Sequence, residues 1–193
     1  MSKFIGVINR NSAHLSFFLL FAVVFLLGDT FGAVLATLAE KPELDSFALN
    51  MTYSAEHLVD NRWGTVIRSV ISVWTTLIAL WICGFMPRIP SVVLSGSIMV
   101  FKGVTIGYTL GMMFRIYGGK GVALAVASVL PQYIILLPLM FLTASMAANA
   151  FKGISVKSAV KGYMVFAVFF LMIGLVGALA DVLVTPWLIG FIL

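Results

Sequence analysis

Phe101-Lys102-Gly103-Val104-Thr105-Ile106-Gly107-Tyr108-Thr109-Leu110-Gly111 lies within an apolar run from Pro90 to Phe114 and sets a charge ahead of three glycines at four-residue spacing. A lysine at the centre of a membrane helix costs roughly 2.5–3.5 kcal/mol on insertion scales, so its ammonium is expected to face a bundle interior, a partner charge or a water-filled cavity. Small residues four apart share one helix face and let a second backbone approach closely. Together these features describe a tightly packed central helix of a membrane bundle.

Working outward, the composition agrees. The chain of 193 residues is 62% hydrophobic and 10% charged, and its mean hydropathy of +1.13 lies far outside the range of a soluble domain. The formal charge of +5 arises from lysines and arginines scattered at span ends, with no basic block for nucleic acid. Cys83 is the only cysteine and sits in an apolar segment, where it reads as packing and permits no disulfide framework.

A hydrocarbon core about 30 Å thick needs roughly 20 apolar residues of helix. Five segments qualify, at about 15–38, 66–85, 91–114, 122–150 and 163–189. The expected fold is all-α: a single domain over 1–193, a polytopic integral membrane bundle of five transmembrane helices, the fourth kinked at prolines. The run after His14 is too long for the apolar region of a signal peptide, about 7–15 residues. With the N-terminus cytoplasmic, Lys3, Arg10, Arg88, Lys152, Lys157 and Lys161 lie inside, and Lys41, Arg62, Arg68, Arg115 and Lys120 outside. This is a slight positive-inside bias. It places the C-terminus external; Arg115 and the short turn Tyr117-Gly118-Gly119-Lys120 argue mildly for the reverse.

The connection at about 40–65 holds five of the seven acids. After Pro42 its apolar residues Phe47, Met51, Ala55, Leu58 and Val59 fall at helical spacing, giving one greasy and one acidic face. Such a helix can simply rest on the lipid surface, or it can serve as an external docking surface through Glu43, Asp45, Phe47, Met51, Glu56 and Asp60.

On a helical wheel Gly96, Gly103, Gly107 and Gly111 form one stripe of the third span, with Ser91, Ser95, Lys102, Thr105 and Thr109 on a neighbouring one; both should face protein. Gly28, Gly32 and Ala36 in span one, and Gly174, Gly177 and Ala178 in span five, are the expected counter-surfaces. Pro131 and Pro138, seven apart in span four and beside Ser128 and Gln132, each remove a backbone donor and predict a bend. That bend reads as ordinary packing or as a functional break. At 1.5 Å per residue, Lys102 sits roughly 17 Å and Asp29 roughly 21 Å into their spans, level enough to pair, and Asp181, at roughly 27 Å, is nearer Arg115.

The order of these elements resembles stage II sporulation protein M, a five-span family of endospore-forming bacteria. Phe101-Lys102-Gly103 with Gly107 and Gly111 carries the likeness, as do Ser128-Val129-Leu130-Pro131-Gln132 with Pro138, and Gly174, Gly177, Asp181 and Pro186 in the last span. Tyr133 stands where the family commonly has Asn, and the connection before span two is shorter and diverged. The resemblance implies a role in engulfment at the sporulation septum or the engulfing mother-cell membrane. There the chain would be a membrane scaffold localising a membrane-anchored lytic transglycosylase and an amidase, both peptidoglycan hydrolases. That role asks for no chemistry from the chain, and the residues offer none: His14 and His57 are the only histidines, with no nucleophilic cluster or metal-ligand spacing. No enzyme activity, cofactor or metal is expected. The alternative is a small transporter or a lipid or ion permease using buried Lys102 and Asp29. The five spans show no evident inverted repeat, so a carrier would call for a homo-oligomer.

Overall fold

The computed structural model describes the backbone of residues 2–60, 62–149 and 156–192, and side chains within 15–50, 63–123, 125–127, 132–149, 163–180 and 182–184. Five helices follow in order: α1 (Ser2–Leu38), α2 (Lys41–Asp60), α3 (Arg62–Cys83), α4 (Arg88–Asn149) and α5 (Val156–Ile192). No strand occurs among the described residues. Five stretches are long and apolar enough to cross a membrane: Leu15–Leu38, Trp63–Cys83, Arg88–Ala123, Gln132–Asn149 and Tyr163–Val184. The expected all-α five-span bundle is therefore present.

Two of those crossings belong to α4, which is a hairpin of two limbs. Gly118 alone inside it has non-helical dihedrals, φ 60° and ψ −137°. A left-handed φ favours glycine because it has no Cβ to clash, and the second limb turns back so closely that a Cβ at Gly121 would overlap the Met113 carbonyl oxygen. The break thus falls in the Tyr117–Lys120 turn, and helical assignment continues through Pro131 and Pro138.

Contacts set the direction of each helix. Along α1 and the first limb of α4 the paired positions rise together: Arg88 lies over the Phe17 ring, with 5.5 Å to its centroid, Gly28 faces Val100, Gly32 faces Val104, and Gly111 faces Ala36. These two helices are parallel neighbours. Against α3, α5 runs the opposite way: Trp74 Nε1 donates to the Leu171 carbonyl at 3.2 Å, and Tyr163 OH to the Trp81 carbonyl at 2.9 Å. The second limb runs with α3, and Gln132 Nε2 donates to Ser69 Oγ at 3.3 Å. So α1, the first limb and α5 point one way, and α3 and the second limb the other.

The principal core lies where these helices meet. Phe21 and Phe25 of α1, Val73, Leu77 and Leu80 of α3, Met99 and Ile106 of the first limb, Leu136, Met140 and Phe141 of the second, and Ala178 of α5 form one buried cluster. Phe141 joins the second limb to α1, its ring edge-on to Phe18 at 5.5 Å and to Phe25 at 5.7 Å. Cys83 is buried, as its apolar setting implied.

The glycine stripes hold α1 against α4, with two corrections. Side chains at Gly28, Gly32, Gly103 or Gly107 would meet facing backbone, for example Val100 O at 2.5 Å from a Cβ at Gly28 and Asp29 N at 2.9 Å from one at Gly103. Gly96, however, has open space around it. The small residues of α5 also serve other neighbours: Gly174 faces Val73 and Leu77 of α3, and Gly177 faces Ile135 of the second limb. The stripe through Lys102 divides as well. Ser91 and Ser95 are fully buried, whereas Thr105 is exposed and returns its hydroxyl to the Phe101 carbonyl at 2.8 Å.

Substitution separates the two kinds of glycine. Gly107→Val is expected to destabilise the bundle by at least the overpacking cost of about 1–3 kcal/mol, and Gly96→Val to stay within about 0.5 kcal/mol. Unfolding by SDS in mixed micelles measures both.

Candidate functional site

The titratable and polar residues singled out by sequence fall into two groups, one inside the bundle and one at the α2 end. Inside, Asp29 and Lys102 are level, as the opposition of Gly28 with Val100 and of Gly103 with Asp29 requires. They do not pair. Among the described residues no ion pair joins them, and Asp29 Oδ1 is buried with no hydrogen-bond partner. The reason is angular. Gly103, Gly107 and Gly111 point at α1, and at about 100° per residue Lys102 leaves the helix roughly 100°, 140° and 180° away from them. Its side chain, half-buried, departs on the side of Ser95, Met99 and Ile106, away from α1.

Arg115 has backbone partners that its depth did not reveal. Its Nη1 donates to the carbonyls of Ala36 at 2.8 Å and Ala39 at 2.6 Å. The last carbonyls of a helix have no intrahelical donor, and cations near that end also meet the negative pole of the helix dipole. Arg115 is thus the C-cap of α1, delivered by the neighbouring parallel helix. The Asp181 side chain lies outside the described residues, as does that of Pro131.

Gln132 is spent on Ser69, stitching the second limb to α3, while Pro138 is exposed. Neither residue lines the cavity between α3, the second limb and α5. Sequence reasoning missed that cavity together with the aromatic cluster beside it. Trp81 stacks on Tyr163 with centroids 5.8 Å apart, and Phe85 meets Trp81 edge-on at 4.9 Å. Gly84 leaves room for the Tyr163 ring, which a Cβ there would strike. The overlooked signal was aromatic residues at span ends, where membrane proteins place their interfacial belts.

At the other end, α2 is built as its spacing predicts. Leu44 and Phe47 pack with Tyr108 on a small cluster of Ala36, Ala39 and Met112. Phe47 is thereby corrected from a docking residue to an anchor, since its ring faces the bundle. Glu43 and Asp45 are exposed on opposite flanks of that contact. The side chains of Met51, Glu56 and Asp60 lie outside the described residues, though their backbone belongs to α2.

A family model described as stage II sporulation protein M matches residues 18–186, a stretch that takes in four crossings whole and all but the start of the first. The chain belongs to this family. It is a membrane-spanning member of a sporulation family, and the parallel contact of α1 with α4 and the Arg115 cap are features of that family's match region in this chain. No curated protein and no solved structure matches it significantly. Among the described residues no group of histidine, cysteine, aspartate and glutamate is placed to hold a metal.

Two substitutions follow from the geometry. Arg115→Ala is expected to lower stability by about 1.5–3 kcal/mol, the range for hydrogen bonds from a charged group, with Arg115→Lys recovering part; thermal unfolding in detergent reads this. Asp29→Asn and Lys102→Met are expected to add in the double variant, to within about 0.5 kcal/mol. A coupling larger than that in an SDS-unfolding cycle would mean the two charges do interact.

Proposed function

We propose that the chain is a non-enzymatic scaffold of the cytoplasmic membrane that localises peptidoglycan hydrolases, a lytic transglycosylase and an amidase, at the septal or engulfing membrane. The observation that carries this reading is the seating of α2. Leu44 and Phe47 fasten it to the bundle, and Glu43 and Asp45 are held outward on a rigid support. Exposed acids fixed at the membrane surface suit a basic patch on a membrane-anchored partner, since complementary charge steers and orients docking. The N-terminus is cytoplasmic and α2 external in this proposal, which puts the docking face on the side where peptidoglycan lies.

A permease remains the second reading because one observation favours it: a buried carboxylate oxygen of Asp29 has no partner, and an intramembrane acid of that kind marks ion or proton pathways in other membrane proteins. Against it, Lys102 leaves the first limb on the flank turned away from α1, the helix that carries Asp29, and neither residue lines the cavity between α3, α4 and α5.

Affinity purification of the full chain from sporulating cells distinguishes the two. The Glu43→Lys, Asp45→Lys variant is expected to lose at least most of the co-purifying hydrolase while its own membrane abundance is unchanged. Retention of the hydrolase would refute docking through α2. Proton or solute flux in reconstituted vesicles that disappears with Asp29→Asn would establish the permease instead.

A further inference from the structure

The cavity bounded by α3, the second limb of α4 and α5 has a volume of about 250 Å³ and is lined by Leu77, Trp81, Thr143, Tyr163, Ala167 and Phe170 among others. Its walls are almost wholly apolar, and an apolar cavity of this kind does not hold water. Three lining side chains carry a hydrogen-bond donor. Two of these are committed: Thr143 Oγ1 donates to the Leu139 carbonyl at 2.7 Å, and Tyr163 OH donates to the Trp81 carbonyl. The third, Trp81 Nε1, is buried and has no acceptor among the described residues. That nitrogen is enclosed by protein, so the cavity offers an occupant apolar contact alone.

What surrounds the cavity restricts its occupant. All three walls are membrane-spanning segments, Trp63–Cys83, Gln132–Asn149 and Tyr163–Val184. The α5 side chains at its rim, Met164, Phe166 and Val168, are 46%, 50% and 62% exposed, as residues against lipid are. Trp81 lies two residues from the end of its span and Tyr163 opens its own. Leu77 and Phe170 are about a helical turn or two deeper. The cavity therefore begins near the membrane interface and extends toward the hydrocarbon.

We propose that this cavity seats one hydrocarbon tail of a bilayer phospholipid. Its length runs from the interface into the hydrocarbon, as an acyl tail does. The site goes beyond the scaffold reading and does not depend on it.

Bromine on an acyl chain quenches nearby tryptophan, which allows a direct test on the full chain in maltoside micelles. Phosphatidylglycerol with dibrominated tails is titrated in, and the fluorescence of the Trp81→Phe variant is subtracted to isolate the Trp81 signal. The expected result is a saturable quenching of Trp81 at a stoichiometry of one lipid, with Ala167→Phe, which fills the cavity, weakening it by at least roughly tenfold, or 1.4 kcal/mol. Quenching of the unmodified chain that rises with lipid without saturating would overturn the proposal, whether or not the filled variant folds. An affinity unchanged by Ala167→Phe in a folded protein would overturn it too.

Discussion

Contact of backbone with backbone through glycine is the constraint on which the bundle is organised. Surrounded by lipid tails, one apolar helix gains little from touching another, so association relies on close packing. Gly28 and Gly32 on α1, and Gly103, Gly107 and Gly111 on α4, remove the side chains that would hold the two helices apart. The hydrogens left in their place point toward facing carbonyls such as that of Val100, a weak attraction of about 0.5–1 kcal/mol each. Because the two helices run parallel, their upper ends finish together, and Arg115 can reach across to the Ala36 and Ala39 carbonyls. The same contact decides which way Lys102 turns. With the glycines committed to α1, the lysine is carried to the opposite flank.

Much of this was legible in the residues. Span number, helical α2 and the pairing of Gly28, Gly32 and Ala36 with the α4 glycines follow from apolar length and four-residue spacing, which are local properties. Depth was legible as well, since rise per residue places Asp29 beside Gly103. Azimuth was not. Level charges can leave a helix in opposite directions, and only the identity of the neighbouring helix decides whether they meet. Arg115 shows the same gap, because its partner is a backbone carbonyl that has no signature in side-chain chemistry. The turn at Gly118 was legible as a glycine pair between two apolar runs. The cavity left no periodic mark either, because three helices contribute to it and none shows it alone.

A scaffold and a carrier ask different things of the same bundle. A carrier needs alternative packings of similar energy and a polar path between them. A scaffold needs a fixed outer surface. The features found at the α2 end are those of fixation: a doubly bonded guanidinium on the end of α1, and Leu44 and Phe47 set on the adjoining cluster. Deeper in, Gln132 with Ser69 and Trp74 with Leu171 tie α3 to both of its neighbours. The polar groups of this chain are mostly used as fasteners.

The α1–α4 contact joins positions that are far apart along the polypeptide, Arg115 and Ala36 being separated by 79 residues. During synthesis α1 enters the bilayer long before its parallel neighbour exists. In that interval its glycine face and the carboxylate of Asp29 have only lipid or the insertion machinery beside them. Release of α1 must wait for α3 and the first limb to emerge, so the order of translation itself becomes part of how this membrane protein is assembled, and a nascent chain stalled before Gly111 would present an unfinished helix for degradation.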